Sequence, residues 1–283
     1  MKELLDRIYL SMGLRLLAMS RRSSVASLPG MITVDGDEVT RLRPLGGFRQ
    51  PGVTKAGRLS FAGVYRGRSV KVYRGYSDAQ NELRRDIQLL DFKSCGFPEV
   101  LAVDKGLVVE AWVEGTAVSD LKGSDLVQAE AAITTFLEEN ITRLELQSIA
   151  VKHASAFCYF QNYLLPRLGE LRYWSLVEDV VSAWKARYFE LKSSLGSHLT
   201  HPDLSSANIV RESATGRFII IDNELIGVGA GWVLDRSNSF LQSRSLINVP
   251  NDFVELSWRL RLLGSAIDAG DLRKAQRLCE GVH

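Results

Sequence analysis

Between residues 31 and 113 apolar and polar residues alternate in short runs, the period-two pattern of half-buried strands. MITVDGDEVTRL reads as a hairpin turning at Asp35 and Gly36, and LSFAGVYRGRSVKVYRG as a second hairpin turning within RGR. SDAQNELRRDIQLLDF breaks the alternation. Leu83, Ile87 and Leu90 recur there at helical spacing, with Ser77 or Asp78 as N-cap. FPEVLAVDKGLVVEAWV then returns to the strand pattern and gives two more strands. After EGT at 114–116 the period lengthens, and residues 119–198 read as largely helical, most clearly in SDLVQAEAAITTFLEENITRLEL and YWSLVEDVVSAWKARYFELKSSLG. NIVR and RFIIID follow as strands around the turn ESATG, and NDFVELSWRLRLLGSAIDAGDLRKAQRLCEG closes the chain as helix. The pattern predicts an α+β, bilobal chain: an N-terminal helix and linker over 1–30, a small mixed β lobe with one helix over 31–113, and a larger, mainly helical lobe over 114–283.

The first 22 residues carry their own pattern. Leu4, Leu5, Ile8, Tyr9, Met12, Leu16, Leu17 and Met19 fall at helical spacing, with a basic opposite side. Glu3, Asp6, Arg7 and Arg15 interrupt the segment, so it is neither a secretory signal core nor a bilayer span. Two readings remain open: a helix packed on the body of the protein, or one lying on a membrane surface.

Composition narrows the class without naming a chemistry. With 46% hydrophobic and 24% charged residues among 283, this is an ordinary globular chain. Cys95, Cys158 and Cys279 are too few and too scattered for a disulfide framework or a metal cluster, which points to a reducing, cytoplasmic setting. Charge is divided unevenly. Residues 1–76 hold 14 Lys and Arg against 5 Asp and Glu, and the remainder 21 against 28. Such a division favours an anionic ligand or membrane surface beside the N-terminal part. Nothing in it points to nucleic acid.

Chemistry concentrates in HPDLSSANIV and RFIIIDNELIGVG. A hairpin joined by ESATG brings Asn208 and Asp222 together at one end. An amide oxygen and a carboxylate there are hard ligands suited to Mg2+, which leaves further positions to phosphate and water. Asp203, on the preceding loop, is placed to reach a substrate hydroxyl. A base, metal ligands and little covalent chemistry by the protein are what phosphoryl transfer requires.

With these residues the sequence resembles the protein-kinase-like superfamily, closest to its small-molecule branch of aminoglycoside phosphotransferases, choline kinases and lipopolysaccharide core sugar kinases. His201, Asp203, Leu204 and Asn208 match the family's catalytic loop, Asp222 its metal-binding aspartate, and IDNE with Glu224 the phosphotransferase form of that motif. GVGAGWVLDRSNSF resembles the link to a bracing aspartate, here Asp235. The resemblance implies a bilobal kinase-like fold, ATP and Mg2+ as cofactors, Asp203 acting on the acceptor with His201 and Asn208 beside it, and Asn208, Asp222 and Glu224 at the metal. GVYRGRSVKVYRG makes Lys71 the phosphate-contacting lysine, and Glu82 its helix partner. LVVEAWVEG resembles the segment joining the lobes, with backbone near Glu110 and Trp112 on adenine. The phosphate loop departs from the pattern: Gly57 fills the first glycine position but Leu59 and Ala62 the other two, and Ser60 with Arg58 is the compensating candidate.

The protein-kinase lysine two residues after Asp203 is replaced by Ser205, and Asp222 and Asp235 are too close for an activation segment. The expected acceptor is therefore a small hydroxylated molecule: a glycolipid sugar at the inner membrane face, an aminoglycoside or a choline-like alcohol. A binding module that keeps the fold without transfer is the alternative from a different class.

Overall fold

The computed structural model describes Leu5, Ile8, Ser11, Met12, Arg15 and Leu16, and residues 30–45, 59–90, 92, 94–169, 175–191, 198–201, 204–229, 249–269 and 271–280. Strands β1 (Ile32–Val34), β2 (Asp37–Pro44), β3 (Ser60–Tyr65) and β4 (Arg68–Arg74) form an antiparallel meander. Helix α1 (Asp78–Gln88) and the short β5 (Cys95–Gly96) precede β6 (Val100–Asp104) and β7 (Leu107–Ala111). β7 returns to lie beside β4, giving a six-stranded sheet of order β1-β2-β3-β4-β7-β6.

Turn chemistry fixes this meander locally. Asp35–Gly36, Arg66–Gly67 and Lys105–Gly106 all have positive φ at both residues (52° and 80°, 48° and 76°, 47° and 79°). Such turns match the twist of the strands they join, and glycine in the second position removes the steric cost of one of the two positive φ values. On one face Val34, Val39, Phe61, Tyr65, Val70, Val72 and Val109 are buried in a compact apolar cluster.

Beyond β8 (Gly115–Ala117) the chain is mainly helical: α2 (Gly123–Thr142), α3 (Leu144–Lys152), a π-helical turn (Tyr159–Leu164), α4 (Leu165–Gly169), α5 (Ser175–Leu191), α6 (Asn251–Ala269) and α7 (Leu272–Cys279). Trp184 of α5 is fully buried, stacked against Tyr188 and in tilted contact with Phe160, and its Nε1 donates to Ser257 Oγ of α6 at 3.0 Å. The α+β architecture expected from the residue pattern is present, a mixed β part with one helix followed by a larger, mainly helical part.

The two parts are stitched before residue 113. β5 pairs parallel with β11 (Phe218–Ile220), which pairs with β10 (Ile209–Glu212), and β10 in turn with β8. Leu83 and Ile87 of α1 pack in the core of the helical part, not in the cluster under the six-stranded sheet. α1 therefore belongs by sequence to the β part and by packing to its neighbour.

Candidate active site

The β10–β11 hairpin holds the centre of the site. Its register pairs Ile209 with Ile220 and Arg211 with Phe218, and the Ile221 N–H donates to the Asn208 carbonyl at 2.9 Å just past the paired strands. Asn208 and Asp222 therefore sit at one end of the hairpin, as their spacing predicted. His201, fully buried, has its Nε2 3.3 Å from the Ile221 carbonyl, fixing the start of the preceding loop against the residue before Asp222. Pro202, Asp203, Gly57, Arg58 and Asp235 lie outside the described residues.

Asp222 adopts φ 65° and ψ 42° at the head of a short 3-10 turn, Asn223–Leu225. A non-glycine residue held in the left-handed region marks a place where the surroundings dictate the backbone. Asn223 supplies part of that dictation, its buried Nδ2 donating to the Ile220 carbonyl at 2.9 Å. After the turn comes β12 (Gly227–Gly229), paired with β9 (His198–Thr200). A Cβ on Gly227 would stand 2.5 Å from the Phe157 carbonyl, so glycine there lets the strand approach the segment leading to the π-helical turn.

Lys71 crosses from the sheet to this hairpin end. Its Nζ lies 2.8 Å from Asp222 Oδ1 and 2.9 Å from Glu224 Oε1, and Ser60 Oγ donates to the same Glu224 oxygen at 2.9 Å. Lys71 and Glu224 are largely shielded (15% and 14% exposed), whereas the Asp222 side chain is 49% exposed. Burial acts to lower the Lys71 pKa, but the carboxylates of Glu224 and Asp222 outweigh it and hold the ammonium above its ordinary range. Conversely the Lys71 ammonium, partly opposed by desolvation, holds Asp222 below the usual carboxylate range. Of the two carboxylates that meet Lys71, Asp222 is the one open to solvent. Among the described residues no group of three or more His, Cys, Asp or Glu side chains is arranged to hold a metal ion. Asp222 and Glu224 are the carboxylates gathered at this point, and Asn208 stands at the same end of the hairpin.

Two expectations are corrected. Glu82 is not the partner of Lys71: it is half exposed and pairs with Arg85 at 3.1 Å, one turn along its own helix. The reason is the face α1 buries, which carries Gln80, Asn81, Leu83, Arg84 and Ile87 and leaves Glu82 on the other side. Nor does the backbone at 110–112 offer free donors for adenine, since the Ala111 N–H donates to Glu99 O at 2.8 Å and the Trp112 N–H to Ser69 O at 2.9 Å. The Glu110 side chain is buried and accepts from Arg84 Nε at 2.7 Å and from the Tyr73 hydroxyl at 2.8 Å. Burial first, and the Glu110 charge second, push the Tyr73 phenol well above its ordinary pKa. Residue patterning missed Gln80, Arg84 and Tyr73. The one available signal was Ser77-x-x-Gln80, a capping-box spacing that singles out Gln80 as more than a surface residue.

No family model matches this sequence, and no curated protein does. Among solved structures, a thermostable mutant of aminoglycoside phosphotransferase APH(4)-Ia has a TM-score of 0.48 at 15% identity, covering 86% of this chain and 94% of its own. The gentamicin complex of APH(2")-IIa has a TM-score of 0.46 at 16% identity, covering 86% and 91%. A macrolide 2'-phosphotransferase from Brachybacterium faecium has 0.34 at 14% identity, covering 88% and 82%. At such overlap none of them says what this chain binds or does.

Proposed function

We propose that this chain is an ATP-dependent phosphotransferase of the protein-kinase-like type, acting on a hydroxyl of a small molecule. The reading takes residues 31–113 as the nucleotide-binding lobe and 114–283 as the catalytic and acceptor-binding lobe. The observation that carries it is Lys71: a shielded lysine from the sheet meets two carboxylates at the end of the hairpin where Asn208 and His201 also stand.

The donor set fits magnesium, an amide oxygen from Asn208 with carboxylates from Asp222 and Glu224, all hard oxygen ligands. Bound there, the ion supplies neutralisation of charge on the phosphate oxygens. Lys71 serves the α and β phosphates, its ammonium already secured in the charged state by its neighbours. Ser60, on the strand that follows the glycine-poor loop, fixes Glu224 and replaces part of what loop amides would hold. Asp203 takes the proton of the acceptor hydroxyl as that oxygen bonds to the γ-phosphorus and the bond to the β-phosphate oxygen breaks. His201 shapes the loop and takes no proton. An assay with ATP and a panel of sugar and alcohol acceptors tests this. Asp203→Asn is expected to lower transfer by roughly 10²- to 10⁴-fold with little change in nucleotide affinity. Equal loss of both would reassign Asp203 to structure.

For the acceptor we favour an anionic glycolipid at a membrane surface. Leu5, Ile8, Met12 and Leu16 are helical and 46%, 46%, 53% and 63% exposed, an apolar row left in solvent with Arg15 beside it. Among the described residues no helix is long and apolar enough to cross a membrane. Sedimentation with anionic and neutral vesicles, with and without residues 1–22, tests the point. Salt-sensitive binding to anionic vesicles that needs the segment supports it. Equal binding to both, or none, leaves a soluble acceptor such as an aminoglycoside or a choline-like alcohol.

A further inference from the structure

Gln80 stands in the first turn of α1, buried, three residues after Ser77, whose Oγ accepts the Gln80 N–H at 3.2 Å. In a capping box the glutamine side chain returns to the N-cap amide. Here it does something else. Its Oε1 accepts from the Tyr76 N–H at 2.7 Å, and its Nε2 donates to two main-chain carbonyls, those of Glu224 and Ile226, at 2.9 Å each. Both amide protons are spent on the turn that begins at Asp222.

That turn is held from two sides. Inside the hairpin Asn223 ties it to Ile220, and the Ile226 N–H closes it on the Asn223 carbonyl at 3.1 Å. From across, Gln80 holds the main chain of Glu224 while Lys71 and Ser60 hold its carboxylate. α1 thus reaches the hairpin end through a neutral amide, in the region where an ion pair from Glu82 was expected. Neither obvious replacement preserves the contact: leucine leaves two shielded carbonyls without a donor, and an ionised glutamate sets a charge against them.

We propose that Gln80 is a positioning residue for the phosphoryl transfer read above, on which the proposal rests. It fixes the 222–226 turn relative to α1 and thereby sets where the Asp222 and Glu224 carboxylates stand. Movement of α1 then shifts the metal-holding carboxylates with it.

The test uses the full chain and three variants: Gln80→Leu, Gln80→Glu, and Glu82→Gln as a control on the exposed face of the same helix. Hydrogen exchange without nucleotide is measured first. The amides of 222–228 are expected to exchange roughly tenfold faster in Gln80→Leu and unchanged in Glu82→Gln. In phosphoryl transfer, the half-saturating Mg2+ concentration is expected to rise roughly 10- to 100-fold in Gln80→Leu, with the KM for ATP changing far less. Gln80→Glu should regain activity relative to wild type as pH falls, because a protonated carboxyl again offers a donor to one of the carbonyls. A merely structural residue would not produce that profile. Wild-type exchange in the turn of both Gln80 variants overturns the proposal, as does an unchanged Mg2+ requirement in an active enzyme. A wild-type protein without ATP-dependent transfer removes the phosphotransferase reading instead, and the exchange result alone then decides whether Gln80 holds the turn.

Discussion

Lys71 with Asp222 and Glu224, and Arg84 with Glu110, are cation–carboxylate contacts of nearly equal length, 2.8 and 2.9 Å against 2.7 Å, yet they differ in what can reach them. Arg84 and Glu110 are each 2% exposed; Glu110 also accepts from the Tyr73 hydroxyl and Arg84 donates to the Pro98 carbonyl, while the buried Arg84 Nη1 has no hydrogen-bond partner among the described residues and the Phe97 ring centroid lies 5.5 Å from the guanidinium. In the Lys71 cluster Asp222 is half in solvent. A sealed pair holds two structural elements together and has no route for a ligand. An open one is a charge arrangement that an arriving phosphate or cation can rearrange. Desolvation makes the first a structural device whose parts cannot be removed singly, and exposure leaves the second open to a ligand.

The sharpest way to break the comparison is to remove one member from each. Arg84→Met leaves Glu110 buried with the Tyr73 hydroxyl but no cation and is expected to lower stability by about 3–5 kcal/mol, read from urea unfolding. Lys71→Met is expected to cost less stability, because Asp222 stays hydrated and the shielded Glu224 keeps the Ser60 hydroxyl, but to lower phosphoryl transfer by roughly 10²- to 10³-fold, the scale of losing one preorganised charge donor. If the two variants exchanged these outcomes, the roles assigned to the clusters would be reversed.

A smaller effect is expected from pH. Asp222 is depressed in the folded state, so its contribution is present above the unfolded value of about 4 and is lost as pH falls through the lower folded value. Lys71 is raised, so its contribution is present below the unfolded value of about 10.4 and is lost only as pH rises through the higher folded value. The stability difference between wild type and Lys71→Met should therefore be flat from about pH 5 to 9 and shrink toward either extreme. Urea midpoints across that range check it. A midpoint difference that changed steadily between pH 6 and 8 would point to a different titrating group.

The smallest effect belongs to Glu82→Gln. An exposed pair within one helix contributes little, so stability should stay within about 0.5 kcal/mol and transfer should be unaltered. A large loss of activity would restore Glu82 to the site.

What could be read from the sequence was local. The three two-residue turns are written in adjacent residues with glycine second, and the β10–β11 hairpin places Asn208 and Asp222 together by spacing alone. The face α1 buries was not legible. Leu83 and Ile87 mark the helix, but Leu89 is 77% exposed while Gln80, Asn81 and Arg84 are buried, because the helix packs on polar main chain and Glu110 as well as on apolar side chains. Hydrophobic periodicity is blind to that face. The family resemblance that singles out Glu82 is silent on that face too, and periodicity passes over Gln80 for the same reason. The amide donors at 111 and 112 were likewise hidden, since their acceptors, Glu99 and Ser69, come from other strands and loops.

The central claim is that the open cluster is a metal–nucleotide site, and calorimetric titration with ATP tests it most directly, using wild type and Asp222→Ala, each with Mg2+ and with chelator. The account predicts that Mg2+ strengthens ATP binding to wild type by about tenfold or more, a gain of at least about 1.4 kcal/mol, and that Asp222→Ala loses this gain while keeping its metal-free affinity. Wild-type binding that is absent, or equal with and without Mg2+, would contradict it.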